Sequence, residues 1–382
     1  MLSSYSLRLP KVVFGGEDAG DKLAGVVEGH SHVALFTDAA LHKLGLVDGA
    51  LAAIEGVGCK VTVIDDIPAE PAYADVQKVV DEMRASGADI VVAVGGGSVM
   101  DAAKLASVAA TDAYTVHDLL ADPGRATKQL PCVAIPTTAG TGAEATPNAI
   151  VAVPEDELKV GIVNDAMIPD AVVLDVAMIK DLPRPIAAAT GIDAMCHAIE
   201  CFTSTKANPF SDTFALEAFD LILNNIEAAC DDPEAIDAKR AMQIGSFYAG
   251  IAITAAGTTA VHALSYPLGG KFHVAHGVSN AILLMPVMHF NEPAIRERLA
   301  LAYDRAIAGD ATTAEEKSAA VIERMDQIVS HLDIPKKLDE LGIVDADVDQ
   351  LAAAGMTVQR LLVNNMREVT LEDAKAIYAQ IM

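Results

Sequence analysis

Short apolar, β-branched runs alternate with helical segments through the first half of the chain, and this alternation constrains the fold most strongly. The runs look like buried parallel strands and cover residues 32–38, 60–65, 89–98 and 131–138. Between the second and third runs, apolar side chains recur at helical spacing and stop at Gly87. This rhythm predicts an α/β domain with an open parallel sheet and helices on both faces.

The residues that follow each strand are the candidates for ligand binding, because such sheets bind ligands outside the carboxyl ends of their strands. The third run ends in Gly95, Gly96, Gly97 and Ser98, and a helix start with Asp101 in its first turn comes next. Glycines let a backbone approach a pyrophosphate closely, and the N–H groups of a helix N-terminus donate to it. The loop is neither a GxGxxG fingerprint nor a Walker loop, so a tight structural turn is an equal alternative.

A second polar loop, TTAGTG, follows the fourth run. It contains Thr137, Thr138 and Thr141. Parallel strands end at the same edge of a sheet, so two such loops together favour a dinucleotide over a tight turn. We therefore predict cofactor contacts at the glycine triplet, Ser98, Asp101 and these threonines.

Asp38 ends the first run and has two interpretations. An acidic side chain in this place accepts from an adenosine ribose hydroxyl and repels a 2′-phosphate, which favours NAD over NADP. Aspartate is also a common N-cap, and the helical segment ALHKLG follows soon after. The sequence leaves both roles open, and we predict an NAD(H) contact at Asp38.

The character of the sequence changes at LPRPI, residues 182–186. Two prolines punctuate the chain there, and Ala- and Leu-rich helical patterns continue almost to Met382. We predict an α/β dinucleotide-binding domain over residues 1–183 and an all-helical, metal-binding catalytic domain over residues 184–382.

Three histidines and one aspartate in the helical half form a candidate metal site. Asp193 and His197 are four residues apart in GIDAMCHAIE, which puts both side chains on one face of a helix. His262 and His276 follow in VHALSYPLGGKFHVAHG. Three imidazole nitrogens with one carboxylate oxygen suit a divalent first-row ion such as Fe, Zn, Mn or Co, whereas Ca²⁺ and Mg²⁺ prefer oxygen ligands.

Composition excludes several classes of function. The 382 residues are 52% hydrophobic, which rules out disorder and gives ample core for two domains. A formal net charge of −26 argues against nucleic acids and anionic membranes as partners. The sequence has no secretory h-region and no apolar run of transmembrane length, so we expect a cytoplasmic protein. Its five scattered cysteines fit reduced thiols.

Four motifs, in this order and spacing, resemble the iron-containing (group III) alcohol dehydrogenases: GGGSVMDAAK, IPTTAGTGAE, LPRPIAAATGIDAMCHAIE and VHALSYPLGGKFHVAHGVSNAILLMPV. The resemblance covers nearly the whole chain. It implies one catalytic divalent ion on the four metal-site residues. The nicotinamide dinucleotide contacts that it implies are Asp38, Gly97, Ser98, Thr137, Thr138, Thr141 and Lys159.

The resemblance also implies the activity. The ion would act as a Lewis acid on the oxygen of a small alcohol or aldehyde while hydride passes to or from NAD(H). His262 would serve this chemistry as a ligand. Fe²⁺ is implied by the resemblance alone, since the donor types also fit Zn²⁺ or another divalent ion. Members of the family often form dimers or larger assemblies, so we expect a homo-oligomer.

Two positions depart from the family pattern. Many members place a further histidine, thought to help proton exchange, four residues after the third ligand, and here that position is Tyr266. Tyrosine, with a usual pKa of about 10, is a poorer proton shuttle near neutral pH than imidazole at about 6.5. His273 is a candidate replacement, with an exposed loop histidine as the alternative. Glu70 stands where members often have Asn near the cofactor.

Other functions remain open at this stage. A glycerol-dehydrogenase-like, maleylacetate-reductase-like or cyclising, dehydroquinate-synthase-like enzyme shares the fold that the motifs imply. A metal- and nucleotide-binding module without turnover is a more distant alternative. Net consumption of NADH separates a dehydrogenase from the lyase and from the binding module.

Overall fold

A computed structural model of the chain describes residues 4–156 and 158–382. The chain forms two compact units. The α/β unit comprises Arg8–Thr138 and Gly142–Asp181, and the helical unit comprises Leu182–Met382 with Ala139–Thr141 and residues 4–7, within the described parts of the chain. The predicted domain boundary, between residues 183 and 184, lies two residues beyond the passage from Asp181 to Leu182.

Six parallel strands form the main sheet of the α/β unit, in the order β1-β8-β5-β4-β2-β3. The remaining two strands, β6 and β7, pair with each other in an antiparallel hairpin. The strands are β1 (Val12–Gly15), β2 (His32–Phe36), β3 (Lys60–Ile64), β4 (Ile90–Gly95), β5 (Cys132–Pro136), β6 (Asn148–Val153), β7 (Leu158–Val163) and β8 (Ala171–Leu174).

The four predicted strand runs are confirmed as β2, β3, β4 and β5. They carry no polar alternation because both faces of the sheet are buried. Ala34 and Phe36 of β2 belong to one hydrophobic core, and Val33 and Leu35 belong to the core on the opposite face. A strand that is buried on both faces is continuously apolar, which is the pattern of the sequence.

Helices connect and cover the strands of the α/β unit. The predicted helix before β4 is α4: its side chains Val76, Val79, Val80 and Met83 are buried at helical spacing, and Gly87 ends it in a left-handed conformation with φ of 76°. The α-helices of this unit are α1 (Lys22–Val27), α2 (Ala39–Lys43), α3 (Asp48–Gly56), α4 (Tyr73–Ser86), α5 (Gly97–Ala109) and α6 (Val116–Ala121).

The strand order creates a switch point between β2 and β4. The chain leaves β2 toward β3 at one edge of the sheet, whereas it leaves β4 in the opposite direction toward β5. Ligands bind open parallel sheets in the crevice that such a reversal opens at the carboxyl ends of the strands. The loops that begin at Asp38 and at Gly96 lie at this crevice.

The helical unit is all-α over its described residues from Leu182 onward, as predicted. Gly191 lets α7 pack closely on its neighbours, because a Cβ there would lie 2.8 Å from Ile226 Cδ1. The α-helices are α7 (Arg184–Phe202), α8 (Pro209–Asp231), α9 (Ile236–Ala256), α10 (Ala260–Phe272), α11 (His276–Ala306), α12 (Ala314–His331), α13 (Val348–Gly355), α14 (Gln359–Leu362) and α15 (Leu371–Ala379).

No single helix among residues 4–156 and 158–382 is long and apolar enough to cross a membrane. By length and composition alone, α9 and α10 pass that test as a pair, with a bend of 106° between them.

Candidate metal centre and nucleotide pocket

Helix α7 presents one face of acidic and imidazole side chains inside the helical unit. Asp193, His197 and Glu200 follow at intervals of four and three residues, so they lie above one another on that face. All three are buried, with at most 6% of each residue exposed. A helix that is buried on most sides would normally carry only apolar residues, so this polar face requires partners.

The four predicted metal ligands converge on one point. One ligand atom from each of Asp193, His197, His262 and His276 lies within 4.8 Å of the other three. The Nε2 atoms of His276, His262 and His197 are 3.5, 3.6 and 3.8 Å from Asp193 Oδ1. Donors at tetrahedral positions about 2.1 Å from an ion lie about 3.4 Å apart, so the cluster fits a divalent metal.

Glu200 holds His262 in place. One carboxylate oxygen accepts from Thr259 Oγ1 at 2.7 Å and from the backbone N–H groups of Thr259 and Val261 at 3.1 and 2.8 Å. The other oxygen is in a short contact with His262 Nδ1. A proton on Nδ1 leaves the lone pair of Nε2 for a metal, as in the carboxylate–histidine pairs of metal sites.

A backbone carbonyl group fixes the tautomer of His197 in the same way. Its Nδ1 lies 3.2 Å from the carbonyl oxygen of Gly140, which can accept a hydrogen bond but cannot donate one. The ring therefore carries its proton on Nδ1 and offers Nε2. His197 Nε2 and His262 Nε2 are 2.9 Å apart, so two lone pairs face each other unless one ring carries a second proton or a metal ion lies between them.

His276 occupies the first turn of α11, and the next residue, Gly277, lies where no larger residue fits. A Cβ on Gly277 would lie 2.3 Å from the carbonyl oxygen of Ala189 in α7, closer than backbone atoms tolerate. Gly277 thus lets the start of α11 rest on α7, which brings His276 to Asp193. The side chain of His276 is 32% exposed, more than those of the other three.

Asn280 lies one turn after His276 and is fully buried. Its Nδ2 donates to Asp193 Oδ1 at 2.6 Å and lies 3.2 and 3.3 Å from the Nε2 atoms of His262 and His276. Its Oδ1 has no hydrogen-bond partner within the described parts of the chain. The amide nitrogen of Asn280 thus lies among the atoms that would bind a metal, and its amide oxygen is unsatisfied. Both features fit a site that is built for a cation.

The electrostatics of the cluster also favour a positive charge. Burial alone would raise the pKa of Asp193, but the charges of His197 and His276 hold this pKa well below its usual range. Burial lowers the pKa of His197. Burial would also lower the pKa of His262, but Glu200 and Asp193 raise it to about 10. Without an ion the cluster therefore retains a proton between its carboxylates, where a divalent ion would bring its own charge.

The two candidates for proton exchange have different surroundings. Tyr266 lies one turn after His262 on α10, its ring 6.1 Å from that of His276, and Arg360 Nη2 donates to its hydroxyl at 3.2 Å. His273 is exposed and caps the C-terminal end of α10 in a left-handed conformation, with φ of 55°. Tyr266 is thus adjacent to a ligand ring, whereas His273 is on the surface.

A pocket of about 450 Å³ lies at the switch point of the α/β sheet. Its lining brings together the ends of three strands: Asp38 after β2, Ile67, Pro68 and Ala69 after β3, and Gly96, Gly97 and Ser98 after β4. Gly97 and Ser98 open α5, so the N–H groups of a helix N-terminus lie at this wall.

Both roles considered for Asp38 are compatible with this geometry. Its Oδ1 accepts from the backbone N–H groups of Ala40 and Leu41, both at 2.9 Å, so it is the N-cap of α2. The same residue lines the pocket. A negative charge at the pocket wall persists whether or not the oxygen also caps a helix.

The threonine loop starts beside the glycine loop. β4 and β5 are neighbours, and the Thr137 N–H donates to the carbonyl oxygen of Gly95 at 3.1 Å. Thr138 is half-buried close to Gly96, and a Cβ on that glycine would lie 3.6 Å from Thr138 Cγ2. Thr141 belongs to the helical unit with its two preceding residues.

Asp101 has a structural role within the α/β unit, and its predicted contact with the cofactor stays a prediction. One of its carboxylate oxygens accepts from Lys104 Nζ at 2.9 Å, and the other accepts from the backbone N–H of Ile150 at 2.9 Å. Lys104 is fully buried and donates also to the carbonyl oxygen of Ala143 and to Thr146 Oγ1. Asp101 therefore neutralises a buried lysine that ties α5 to the segment after β5.

Lys159 is paired with the second residue that departs from the family pattern. It lies in β7 with a side chain that is 9% exposed, and its Nζ is 2.6 Å from Glu70 Oε1. The backbone N–H of Glu70 donates to Ser98 Oγ at 3.1 Å, which links this ion pair to the glycine loop. A phosphate group that binds Lys159 would have to compete with the Glu70 carboxylate.

Sequence analysis missed Glu200 and Asn280. Glu200 follows Asp193 by seven residues, so a third member of the helix face was recognisable by spacing. Asn280 follows His276 by one turn, but asparagine is so often exposed that its spacing alone carries little information.

The sequence matches family models of iron-containing alcohol dehydrogenases along most of its length. Residues 10–176 match the iron-containing alcohol dehydrogenase model, and residues 187–382 match that of the C-terminal part of the Fe-containing alcohol dehydrogenase family.

Individual relatives agree with these matches. Long-chain-alcohol dehydrogenase 1 of Geobacillus thermodenitrificans is 35% identical over 384 residues, which cover 99% of this chain and 96% of the relative. A crystal structure of 1,3-propanediol oxidoreductase superposes with a TM-score of 0.93 at 28% identity and covers both chains completely. Sulfoacetaldehyde reductase of Bifidobacterium kashiwanohense, solved in complex with NAD⁺, has a TM-score of 0.89 at 25% identity over 100% of this chain and 99% of that one.

Proposed function

Because the chain belongs to the iron-containing alcohol dehydrogenase family, we propose that its buried Asp–His₃ cluster holds the catalytic ion of an NAD(H)-linked alcohol dehydrogenase. The convergence of the four ligand atoms within 4.8 Å carries this proposal. The reaction is hydride transfer between the carbon of an alcohol or aldehyde and a nicotinamide dinucleotide.

The residues of the cluster have separate tasks. A divalent ion bound there supplies Lewis acidity at the substrate oxygen. His197 and His262 present Nε2 because Gly140 and Glu200 hold their Nδ1 protons. Asp193 contributes a single negative charge, so three neutral imidazoles and one carboxylate leave a divalent site with net positive charge. The catalytic role of His262 is that of a ligand, and Tyr266 is our candidate for proton exchange on the basis of its place beside His276.

The dinucleotide is assigned to the pocket at the switch point. Gly96, Gly97 and Ser98 supply close backbone approach and helix N–H groups for the pyrophosphate. Thr137 and Thr138 extend the same edge of the sheet. Asp38 favours NAD(H), because its charge accepts from ribose hydroxyls and repels a 2′-phosphate.

Iron as the ion and a short aliphatic substrate are further parts of the proposal. The donor set of three nitrogens and one oxygen also fits Zn²⁺, so iron rests on the family to which the chain belongs. The matched relatives are named for a long-chain alcohol, for 1,3-propanediol and for sulfoacetaldehyde. Two of these three names give a short carbon chain, so small alcohols and aldehydes are the substrate class to test first. The cytoplasmic location and the homo-oligomeric state stay predictions.

Metal removal tests the proposed activity. We expect the purified enzyme to oxidise NADH with short-chain aldehydes, to lose this activity on anaerobic treatment with a chelator, and to regain most of it with Fe(II). The measurement is the decrease of NADH absorbance with a panel of aldehydes, after addition of Fe(II), Zn(II), Mn(II) or Co(II). An enzyme carried through the same steps without chelator is the control.

Either of two results would contradict the proposal. Activity that persists without metal would remove the Lewis-acid role of the cluster. No NADH consumption with any aldehyde and any ion would favour a lyase of the same fold or a binding module.

The coenzyme preference tests Asp38. We expect Asp38→Asn to raise the ratio of kcat/KM for NADPH to that for NADH by about 10-fold, because it removes a negative charge that opposes the 2′-phosphate. Asparagine is as good an N-cap as aspartate, so α2 and the melting temperature should be retained.

The same charge removal at exposed Asp81, in the middle of α4, is the matched control and should leave the coenzyme ratio unchanged. If the two variants behave alike, the pocket charge of Asp38 has no part in coenzyme choice and its role is limited to the cap.

A further inference from the structure

Arg360 of α14 carries a positive charge that no carboxylate of the described residues balances. Most arginines of this acidic chain form ion pairs, as Arg296 does with Glu292 at 2.7 Å. Within the described parts of the chain, the side chain of Arg360 makes one hydrogen bond, from Nη2 to the hydroxyl of Tyr266 at 3.2 Å. Arg360 is exposed, and an exposed arginine is ordinarily a solvated charge, so its position decides whether it has a function.

Tyr266 links Arg360 to the candidate metal centre within the helical unit. The Cζ atom of Arg360 lies 5.8 Å from the centre of the Tyr266 ring, and this ring is 6.1 Å from that of His276. His276 has the most exposed side chain of the four proposed ligands, at 32%. A small molecule can therefore approach the cluster on the side where Tyr266 and Arg360 lie.

The donors of this pair suit an anion. A guanidinium has five N–H donors in a planar fork, and Tyr266 occupies one of them. The Tyr266 hydroxyl accepts that hydrogen bond, so its own hydrogen is available to donate. The fork of an arginine matches the two oxygens of a carboxylate, and stacking over an aromatic ring holds the guanidinium in place.

We propose that Arg360 and the Tyr266 hydroxyl bind an anionic group at the far end of the substrate, so that the enzyme prefers short aldehydes that carry a carboxylate, or a similar oxyanion, over uncharged ones. This inference rests on the proposed function and names the substrate class of the same site. The reacting carbonyl group is then at the metal cluster, and the anionic group is at the guanidinium.

The charge of the whole chain makes a local cation necessary for such a substrate. A formal net charge of −26 repels anions in general. At 0.1 M salt this repulsion is largely screened beyond about 10 Å, whereas a guanidinium that contacts the anion acts without screening by salt. An unpaired arginine beside the cluster therefore favours an anionic substrate at the short range where selection takes place.

Pairs of aldehydes that differ mainly in charge test the proposal. We expect the wild type to reduce 4-oxobutanoate or 5-oxopentanoate with a higher kcat/KM than the corresponding methyl ester. Arg360→Gln should lower this ratio by about 10-fold or more, because it removes a hydrogen-bonded charge. Arg360→Lys keeps the charge without the planar fork, so its ratio should lie between those of Arg360→Gln and the wild type.

Arg367→Gln is the matched control. It removes the same charge from another exposed arginine, whose Cζ atom lies 3.8 Å from the centre of the Phe290 ring. Phe290 follows His276 by about four turns of α11, so this arginine is remote from the cluster. The ratio of acid to ester should be the same in Arg367→Gln as in the wild type.

Binding of the corresponding alcohols gives a readout without turnover. The metal-loaded enzyme that is saturated with NADH cannot oxidise an alcohol, so calorimetry then measures affinity alone. We expect 4-hydroxybutanoate to bind more tightly than the uncharged 1,4-butanediol, and Arg360→Gln to remove this difference.

A kcat/KM ratio that favours the esters at both chain lengths, or one that is equal in Arg360→Gln and the wild type, would overturn the proposal. A higher KM for NADH in Arg360→Gln, with an unchanged ratio of acid to ester, would assign the guanidinium to a phosphate of the coenzyme instead. Absence of NADH consumption with every aldehyde is a separate failure, that of the proposed dehydrogenase activity, and calorimetry with the two alcohols then decides the role of Arg360.

Discussion

Replacing His262 by alanine is expected to abolish stoichiometric metal binding and to lower kcat/KM by about 10³-fold or more, since Lewis-acid stabilisation contributes several kcal/mol and each 1.36 kcal/mol is a factor of ten. Of the four proposed ligands, His262 has the most contacts that fix its ring. Its Nε2 lies at the centre of the cluster, and its Nδ1 is bound by the buried carboxylate of Glu200.

The alanine variant also leaves Glu200 as a buried carboxylate without its imidazole partner. Loss of one member of a buried pair costs about 3–5 kcal/mol of folding free energy, so part of any loss of activity could come from unfolding. His262→Asn separates the two effects: its short amide offers an N–H near Glu200 but no imidazole nitrogen to the ion.

Metal content by elemental analysis, the melting temperature and kcat/KM should be measured on both variants. We expect both to lack metal, and His262→Asn to retain more stability than His262→Ala. His289→Ala removes an exposed histidine of α11 and should have full metal content and activity. A metal-replete, active His262→Ala would remove His262 from the ligand set.

Two residues of the candidate metal site, Asp193 and His197, were predictable because their signal is local. The interval of four residues between Asp193 and His197 has one geometric meaning on a helix. The strands were predictable for a similar reason, since burial on both faces produces an uninterrupted apolar run. Such patterns need no knowledge of what lies elsewhere in the chain.

The remaining features depend on contacts between distant segments. β8 pairs with β1 across more than 150 residues of sequence, and neither strand is longer than four residues. The pairing of Lys159 with Glu70 needs the β6–β7 hairpin and the end of β3 to be neighbours. The switch point itself follows from strand order, which no single stretch of sequence encodes.

The contacts of Asp101 also depend on a distant segment, so its local sequence pattern did not reveal them. From sequence it was an acidic residue in the first turn of a helix that follows a glycine loop, and we predicted a cofactor contact. The structure shows it paired with Lys104, one turn later on α5, and with the backbone of Ile150 in β6. An acidic residue at a helix start has several uses, and only the tertiary structure reveals this one.

Glu200→Gln is expected to weaken metal binding by about 10- to 100-fold while the protein remains folded, because a residue behind a ligand controls that ligand's tautomer. Four donors converge on Glu200 Oε1, namely Thr259 Oγ1 and the backbone N–H groups of Thr259, Val261 and His262, so the glutamine carbonyl oxygen will take that position. The amide N–H₂ group then faces His262 Nδ1. An N–H donor there requires the lone pair of Nδ1, which transfers the ring proton to Nε2 and blocks the atom that binds the ion.

Dissociation constants for Co(II) or Zn(II), measured by competition with a chromogenic chelator, test this effect without turnover. Glutamine fills the same space and keeps the four contacts of Oε1, so the melting temperature of the metal-free protein should change far less than in a Glu200→Ala variant, which leaves those donors unpaired. Glu297→Gln, an exposed change on α11, controls for the loss of one negative charge. If Glu200→Gln binds metal as tightly as the wild type, the carboxylate only fills space, and the orientation of His262 must come from helix packing alone.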